Sequence, residues 1–252
     1  GAGREQVEGA VGSDVKIAVQ EPQLGTGHAV MAARHALEGF SGDILILYGD
    51  VPMLSQATMQ AMLDARRKEN SNGQSPALVV LGFRPEDPAA YGRLVLAQNG
   101  SLEEIVEFKD ATPEQRAINL CNSGVMAVNG GLLFELLDEV TNDNANGEYY
   151  LTDIVGLARK RGLSAAVVEA NEEEVMGINS RSELAVAESV FQNRRRQEVM
   201  AGGATLIDPS SVFFSYDTVI GRDVTIEPNV YFGPGVVVGD HVRINAFSHL
   251  EG

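Results

Sequence analysis

The C-terminal part of the chain repeats every six residues, and this repeat restricts the possible fold more than any other feature of the sequence. Written in sixes from Val219, it runs VIGRDV, TIEPNV, YFGPGV, VVGDHV, RINAFS and then HLEG. The second position is always apolar and is occupied in turn by Ile220, Ile226, Phe232, Val238, Ile244 and Leu250. A six-residue period is typical of a parallel β-helix, in which inward residues stack on their counterparts one coil along. We therefore predict that 204–252 form the first coils of a β-helix, rather than an ordinary β-domain with a chance repeat.

A long helix is predicted immediately before this repeat. Ser180 and Glu183 have the spacing of a capping box, which opens a helix, and the pair Gly202–Gly203 would end it. We interpret the basic run Arg194–Arg196 as a solvated face of this helix, with phosphate binding as the alternative. The helix at 180–203 would link the repeat to the residues before it.

Strand and helix patterns alternate over 1–179. The run DILILY, Asp43–Tyr48, is nearly continuous in apolar residues, as expected of a strand covered on both faces. The other predicted strands are Val15–Val19, Pro76–Phe83, Leu102–Phe108, Gly124–Val128 and Ser164–Ala170. The predicted helices follow Gly27, begin at Gln56 behind an N-cap at Ser55, and span Asn129–Val140 and Leu151–Arg161. This alternation predicts an α/β domain with a mixed, mostly parallel sheet, whose ligands collect beyond the carboxyl ends of the strands.

Composition and charge argue against several classes of function. The chain has 35 acidic and 19 basic residues, and its net charge of −16 argues against nucleic-acid binding. No apolar run approaches the ~18 residues of a membrane span and no signal peptide opens the chain, so no membrane association is predicted. The single cysteine, Cys121, allows no internal disulfide, which fits a cytoplasmic location.

Two turns carry candidate ligand-binding residues. In QEPQLGTGHA, Gly25 and Gly27 would let the backbone approach a ligand, and the Gln20 amide matches the N–H and C=O edge of a pyrimidine such as uracil. In LYGDVP, Asp50 follows Gly49 at the end of a predicted strand, where a lone carboxylate is a good Mg²⁺ anchor. Each of these residues, taken singly, is also compatible with ordinary turn chemistry.

Further polar or glycine positions lie beside other predicted elements. Tyr48 could pack or stack beside the turn that carries Asp50. A carboxylate and an asparagine are suited to binding sugar hydroxyls and an acetamido group. The candidates come from four clusters: Gly92; Glu107 and Lys109; Asn122; and Glu148, Tyr149, Tyr150 and Thr152. Asn179 is a candidate neutral oxygen ligand for a cation, or simply a helix cap. The histidines are not accompanied by a CxxC or HExxH motif, so no zinc site is predicted. Cys121 lacks an activating partner, so no thiol chemistry is predicted.

Seven short motifs occur in one order, LGTGHA, LYGDVP, YGR, VEFKDAT, CNSG, NGEYYLTD and GINSR, and the hexapeptide repeat follows them. Over essentially the whole chain this set resembles the bacterial bifunctional N-acetylglucosamine-1-phosphate uridylyltransferase/glucosamine-1-phosphate N-acetyltransferase family. The resemblance implies a Rossmann-like nucleotidyltransferase domain, a linking helix and a left-handed β-helix that forms homotrimers. It implies synthesis of UDP-N-acetylglucosamine from UTP and N-acetylglucosamine 1-phosphate with Mg²⁺. In the full-length parent it also implies acetyl transfer from acetyl-CoA.

The resemblance also implies a role for each candidate residue. The uridine would contact Gln20, Gly25 and Thr26, and the nucleotide would contact Tyr48, Gly49 and the catalytic Asp50. The sugar phosphate would contact Gly92, Glu107, Asn122 and Thr152. Asp50 and Asn179 would bind Mg²⁺. The attacking phosphate oxygen is already ionised at neutral pH, so no general base is expected. Catalysis would then depend on positioning and on stabilisation of charge.

Two departures from the family pattern limit what we expect of this polypeptide. The first strand of the family and its Gly-rich loop with Arg and Lys have no match before Gln20, and the coils that carry acetyl transfer have no match after Gly252. We therefore expect the chain alone to show little or no uridylyl transfer and no acetyl transfer. Two alternatives stay open: another sugar-1-phosphate nucleotidyltransferase, and a non-catalytic assembly or binding subunit of the same architecture.

Overall fold

The computed structural model describes residues 4–12, 15–70, 72–88, 90–144 and 146–252. The chain divides into two compact units, Gly1–Val175 and Met176–Gly252. The first unit has helices α1 (Arg4–Val11), α2 (Thr26–Ala32), α3 (Gln56–Arg67), α4 (Pro113–Arg116), α5 (Gly130–Leu137), α6 (Asp153–Lys160) and α7 (Glu172–Val175). Its strands are β1 (Asp43–Ile46), β2 (Leu78–Phe83), β3 (Arg93–Leu96), β4 (Leu102–Val106), β5 (Cys121–Asn129) and β6 (Ala165–Ala170).

These strands form one mixed sheet in which β5 is the central strand. The order is β4-β3-β5-β2-β6, and β1 also pairs with β5. The strands β1, β2, β3 and β6 point in one direction, whereas β4 and β5 point in the other. The predicted mixed sheet is therefore confirmed, and most of its strands share one direction. Neighbouring strands are nevertheless mostly antiparallel because β5 lies between strands of the opposite direction.

Helices cover both faces of strand β2, which explains its continuous apolar sequence. Alternate residues Leu78 and Val80 pack with α5 and α6 on one face, and Val79 and Leu81 pack with Met62 of α3 on the other. All of them are fully buried. The N-terminus of α3 is capped as predicted, because the Ser55 hydroxyl accepts a hydrogen bond of 3.1 Å from the N–H of Thr58. Burial of an apolar strand on both faces is the pattern expected of a central strand.

The prediction of a strand at Val15–Val19 is wrong. Its apolar side chains are exposed, with Val15 at 53%, Ile17 at 46% and Val19 at 42%, and the segment is irregular. A strand requires a neighbour for its backbone N–H and C=O groups, and none of the described strands pairs with this segment. Strand β1 is half-buried rather than covered on both faces, because β5 is its only partner among the described strands.

The second unit consists of a long helix and a β-helix. Helix α8 (Arg181–Ala201) begins after Ser180, whose hydroxyl accepts a hydrogen bond from the N–H of Glu183. The strands are β7 (Thr205–Leu206), β8 (Val212–Phe213), β9 (Val219–Ile220), β10 (Thr225–Ile226), β11 (Val230–Phe232), β12 (Val237–Val238), β13 (Arg243–Ile244) and β14 (His249–Leu250). They form three parallel ladders, β7-β10-β13, β8-β11-β14 and β9-β12, as expected of the left-handed β-helix.

The six-residue repeat positions residues in the β-helix as predicted. The apolar second positions point inward, and Ile226, Phe232, Val238 and Ile244 are buried while Ile220 and Leu250 are half-buried. The fifth position of each six, not singled out in the sequence, forms the corner. It has a positive φ at Asp223, Asn229, Gly235, His241 and Phe247. Gly, Asn and Asp adopt this left-handed conformation most readily, so Phe247 is the unusual residue of the set.

The interpretation of Arg194–Arg196 as a solvated face is wrong for Arg196 and Arg195. The guanidinium of Arg196 is buried and donates hydrogen bonds to the carbonyl oxygens of Val212 (2.9 Å) and Ser210 (3.2 Å). Arg195 donates to the carbonyl oxygen of Thr218 (2.7 Å). These bonds satisfy backbone carbonyls of the first coil, which the helix covers. Arg195 and Arg196 therefore attach α8 to the β-helix.

Membrane insertion has no support among the helices that the structure describes, since none is both long and apolar enough to cross a bilayer.

Candidate active site

Three strand ends meet at one edge of the sheet and bring separate motifs together. Arg93 at the start of β3 pairs with Val106 at the end of β4 and with Cys121 at the start of β5. Gly92, Glu107 and Asn122 are the adjoining residues, and the N–H of Asn122 donates to the carbonyl oxygen of Gly92 (2.8 Å). A Cβ at Gly92 would lie 3.5 Å from a carboxylate oxygen of Glu107, so the two positions are in contact. The register of the sheet thus assembles these three predicted residues.

A pocket of about 390 Å³ lies at this edge. The predicted residues that line it are Thr26, Tyr48, Glu107, Asn122 and Thr152. The other lining residues are Ala90, Phe108, Lys109, Asp110, Asn146, Glu148 and Tyr150. Residues from motifs that are widely separated in the sequence therefore line one concave site, as expected of a ligand-binding pocket. Thr152 also borders a neighbouring pocket of about 340 Å³ that contains Asp153 and Lys160.

The glycine-rich turn packs against the segment that carries Tyr149. Gly25 has a φ of 104°, and a Cβ there would lie 2.7 Å from the carbonyl oxygen of Tyr149. The N–H of Gly27 donates to that same oxygen (2.8 Å), and the N–H of Leu151 donates to the Thr26 hydroxyl (3.0 Å). The close approach that the sequence suggested is thus made to the protein's own backbone. Contact of this turn with a base stays a prediction.

Tyr48 links the turn to the strand edge. Its ring lies against Gly124, where a Cβ would be 2.8 Å from a ring carbon, and it lines the pocket together with Thr26. Burial raises the pKa of the Tyr48 hydroxyl, and the negative charges of Asp50 and Glu107 raise it further. Tyr48 is therefore a neutral hydrogen-bonding and packing group in the pocket.

The Glu107 carboxylate is half-buried in an acidic environment. Burial raises the pKa of Glu107, and the charges of Asp110 and Asp153 raise it further. Burial likewise raises the pKa of Asp153, which the charge of Lys160 opposes. A carboxylate with these neighbours favours hydrogen-bond donors such as sugar hydroxyls as its partners, because each donated bond stabilises the ionised form.

Several pocket residues were not assigned from the sequence. Phe108 lies under two guanidinium groups, those of Arg116 at 4.7 Å and Arg93 at 5.6 Å from the ring centroid. The Asn146 amide donates to the Tyr150 hydroxyl (2.6 Å), which fixes two side chains of the NGEYYLTD motif. Motif membership was the available signal for Phe108 and Tyr150. Nothing in the sequence pattern indicates that Arg93 is almost fully buried.

Asp50 and Asn179 belong to different units of the chain. Asp50 lies exposed in the turn after β1, and its carboxylate makes no hydrogen bond or ion pair with the described residues. Asn179 is exposed just before α8, and its N–H donates to the Glu183 carboxylate (2.7 Å). No group of three or more acidic, histidine or cysteine side chains that could hold a metal ion is found in the described part of the chain. Carboxylate and amide oxygens are each of the type that a hard cation binds.

Cys121, which the sequence excluded as a nucleophile, and the candidates Gln20 and Gly49 remain to be placed. Burial raises the pKa of the Cys121 thiol, consistent with the expectation that it is not a nucleophile. Gln20 lies beside the glycine-rich turn, and its side-chain nitrogen donates to the carbonyl oxygen of Gly25 (2.9 Å). Gly49 follows Tyr48 in the turn that carries Asp50, with open space around it.

Comparisons with known proteins agree with this architecture. Residues 4–174 match the family model described as nucleotidyl transferase, and residues 217–252 match the model described as bacterial transferase hexapeptide (six repeats). The chain is 56% identical over 234 residues to the bifunctional protein GlmU of Paramagnetospirillum magneticum, covering 93% of this chain and 51% of that protein. It is 57% identical over 252 residues to the bifunctional protein GlmU of Rhodospirillum rubrum, covering 100% of this chain and 55% of that protein.

A solved structure shows the same fold at low identity. A UDP-glucose pyrophosphorylase, crystallised with UDP-glucose, is 20% identical and superposes with a TM-score of 0.52, over 70% of this chain and 65% of that one. The chain spans about half the length of the curated relatives it matches, at 51% to 56% of three of them.

Proposed function

The chain belongs to the nucleotidyl transferase family, and from that premise we propose that its pocket binds a uridine nucleotide and a sugar 1-phosphate. In the longer protein the reaction is uridylyl transfer from UTP to N-acetylglucosamine 1-phosphate, which gives UDP-N-acetylglucosamine and pyrophosphate. A phosphate oxygen of the sugar attacks the α-phosphorus of UTP, and the bond to the β-phosphate breaks with its electron pair leaving on pyrophosphate. The observation that carries this proposal is that five of the predicted residues, Thr26, Tyr48, Glu107, Asn122 and Thr152, line one pocket at the sheet edge.

The proposed roles are those that the family resemblance implies. Gln20, Gly25 and Thr26 would border the uridine, and Tyr48 and Gly49 would lie between it and Asp50. The sugar phosphate would contact Gly92, Glu107, Asn122 and Thr152, the residues at the strand ends and at the start of α6. The half-buried Glu107 carboxylate would accept from sugar hydroxyls, and the Asn122 amide would bind the acetamido group. No residue need act as a general base, because the attacking oxygen is already ionised.

Asp50 and Asn179 are the proposed ligands of a divalent cation, which we take to be Mg²⁺. A bound cation of this kind would stabilise the negative charge that develops on the phosphates. The Asp50 carboxylate, which is exposed and has no ion pair among the described residues, supports the assignment, and the neutral Asn179 would add an oxygen without further negative charge. This matters in a chain with a net charge of −16, which otherwise repels phosphates.

Calorimetric titration with UDP-N-acetylglucosamine, in the presence and absence of Mg²⁺, tests the proposal on this chain. We expect binding that Mg²⁺ strengthens, and we expect Asp50→Asn to remove the effect of Mg²⁺. Asp64→Asn is the matched control, because Asp64 lies on α3, outside the pocket, and accepts a hydrogen bond from the Gln60 amide. Equal effects of the two variants, or no binding of the nucleotide sugar, would contradict the proposal. Manganese-induced broadening of the Asn179 amide resonances would test the second ligand.

We also propose that the longer protein transfers acetyl from acetyl-CoA to glucosamine 1-phosphate and that its β-helix forms homotrimers in the cytoplasm. The hexapeptide coils support the second statement, since Val219 and Val237 on the β9-β12 ladder are 54% and 73% exposed. Exposed apolar side chains in a row favour contact with another copy. Sedimentation equilibrium would measure the mass, and a strictly monomeric longer protein would contradict the trimer.

A further inference from the structure

The side-chain amide of Gln20 is held by two acceptors at once. Its nitrogen lies 2.9 Å from the carbonyl oxygen of Gly25 and 3.1 Å from Nδ1 of His28. A primary amide nitrogen carries two hydrogens, and each of these contacts uses one of them. The amide of Gln20 therefore has no hydrogen left to donate to a ligand, which corrects the expectation from the sequence that it offers a base both a donor and an acceptor.

The Gly25 carbonyl determines which end of the Gln20 side-chain amide, the nitrogen or the oxygen, faces it. A carbonyl oxygen only accepts hydrogen bonds, and this one also accepts from the N–H of Ala29 (3.1 Å) in the first turn of α2. The helix therefore holds the oxygen in place, and only the nitrogen of the Gln20 amide can face it. The nitrogen brings its second hydrogen to His28, whose Nδ1 must then be the acceptor. His28 consequently carries its own proton on Nε2.

From this geometry we infer that His28 is a positioning residue that fixes Gln20 with only its carbonyl oxygen available to a base. The inference rests on the proposed function, in which Gln20 borders the uridine. No hydrogen bond to the Oε1 atom of Gln20 is made by the described residues, so this oxygen is the acceptor that remains. Gly25 and His28, which we call the clamp, lie one and two residues from Thr26 in the sequence, and Thr26 lines the pocket.

An acceptor-only side chain distinguishes uracil from cytosine. Uracil has an N–H donor at N3 between two carbonyl groups, whereas N3 of cytosine is an acceptor. The Gln20 oxygen would accept a hydrogen bond from N3–H of uracil, but it would face the lone pair on N3 of cytosine. A site that leaves such polar atoms without a hydrogen bond rejects the mismatched base strongly. Thymine also carries N3–H, so the clamp does not separate thymine from uracil. A freely rotating glutamine would present either its oxygen or its nitrogen and would accept both pyrimidines.

Two variants of His28 test the clamp against a purely structural role. His28→Leu removes the acceptor, whereas His28→Asn keeps an oxygen at the position of Nδ1. The measurement is the dissociation constant of UDP and of CDP for this chain, at constant Mg²⁺. We expect the wild-type chain to prefer UDP, His28→Leu to lose about tenfold of that preference, and His28→Asn to keep most of it. Equal preferences in His28→Leu and the wild-type chain would overturn the inference.

Nuclear magnetic resonance tests the clamp without a nucleotide. In the wild-type chain we expect the ¹⁵N shifts of His28 to show a proton on Nε2 and none on Nδ1. We also expect both Gln20 amide protons to exchange slowly with water, with one becoming fast in His28→Leu. A proton on Nδ1 of His28 would overturn the inference. Failure of the wild-type chain to bind UDP would contradict the proposed function. The spectra would still show whether His28 holds the Gln20 amide.

Discussion

The two units of this chain relate sequence to structure in different ways. In the β-helix, a residue's neighbour is its counterpart one coil along, as Val219 pairs with Val237 and Tyr231 with His249. In the α/β unit, the neighbours of β5 come from β1, β2 and β3, in an order that no local period dictates. The comparison shows that a repeat makes packing a local property, whereas a mixed sheet is assembled from distant contacts. Four substitutions would break or sharpen this distinction.

The largest effect is expected for Phe232→Ala in the β-helix. Phe232 is fully buried and stacks on Phe214 at 5.0 Å, so truncation leaves a cavity and should lower the free energy of unfolding of this unit by about 3–5 kcal/mol. Because contacts in a repeat are local, the loss should be confined to the C-terminal unit. Hydrogen exchange would locate it. Tyr231→Ala, at the exposed neighbouring position, should cost far less, and equal losses in both units would show that packing is not local.

Gly25→Ala probes the non-local packing of the α/β unit. The new Cβ would meet the carbonyl oxygen of Tyr149 at 2.7 Å in a residue whose φ is 104°, so we expect a loss of about 2 kcal/mol in urea unfolding. Gly49→Ala is the control, since nothing lies within 4 Å of the position that its new methyl group would take, and its φ is not positive. If the two variants are equally stable, the turn does not depend on its contact with Tyr149.

Phe247→Asn should stabilise the β-helix by about 1 kcal/mol. Phe247 adopts a φ of 62° and is 82% exposed, so it contributes strain without burial. Asparagine, which already occupies the same corner at position 229, tolerates this conformation. The exposed Tyr216 has no positive φ, and Tyr216→Asn should bring no gain in the same thermal unfolding assay. A loss of stability in Phe247→Asn would mean that the phenylalanine makes a favourable contact at the corner.

The smallest effect concerns pH and Glu107. The raised pKa of Glu107 means that the folded chain binds its proton more tightly than the unfolded chain does. This group therefore costs stability as pH rises from the ordinary glutamate value of ~4.3 through the raised value in the folded chain. Glu107→Gln removes that cost, and we expect its melting temperature at pH 7 to exceed that of the wild-type chain by about 1–2 °C.

The gain in Glu107→Gln should vanish below pH 4, where both states of the wild-type chain are protonated. Glu104→Gln, at an exposed position of β4, is the control for removing one surface carboxylate. A gain that persists unchanged at low pH would indicate a cause other than ionisation.

The sequence predicted the β-helix well because its information is local. The inward positions were correctly identified from the apolar second residue of each six, and Asp223, Asn229 and Gly235 offered an unused signal for the corners. In the α/β unit, β2 was predicted because burial on both faces leaves a continuous apolar run. The failure at Val15–Val19 has the opposite cause, since an apolar run forms a strand only where another strand pairs with it.

The candidate site could be predicted as a set of residues but not as a geometry. Gly92, Glu107 and Asn122 were chosen separately, and only the register of β3, β4 and β5 explains why they meet. The buried Arg93 was missed, because burial of a charged side chain depends on carbonyl groups from other segments. The hydrogen-bonding state of Gln20 was also beyond the sequence, since it is set by His28 and Gly25 through contacts in space.

The parallel ladders of the C-terminal unit have a consequence for length. Three six-residue repeats complete one coil, and adjacent coils are separated by the spacing of neighbouring strands, about 4.8 Å. A whole added coil would carry everything after it forward by that distance while keeping its rotational setting. A single added six-residue repeat would instead move the following residues to the next of the three sides of the coil. The number of repeats therefore sets both the height of the unit and the side on which it ends.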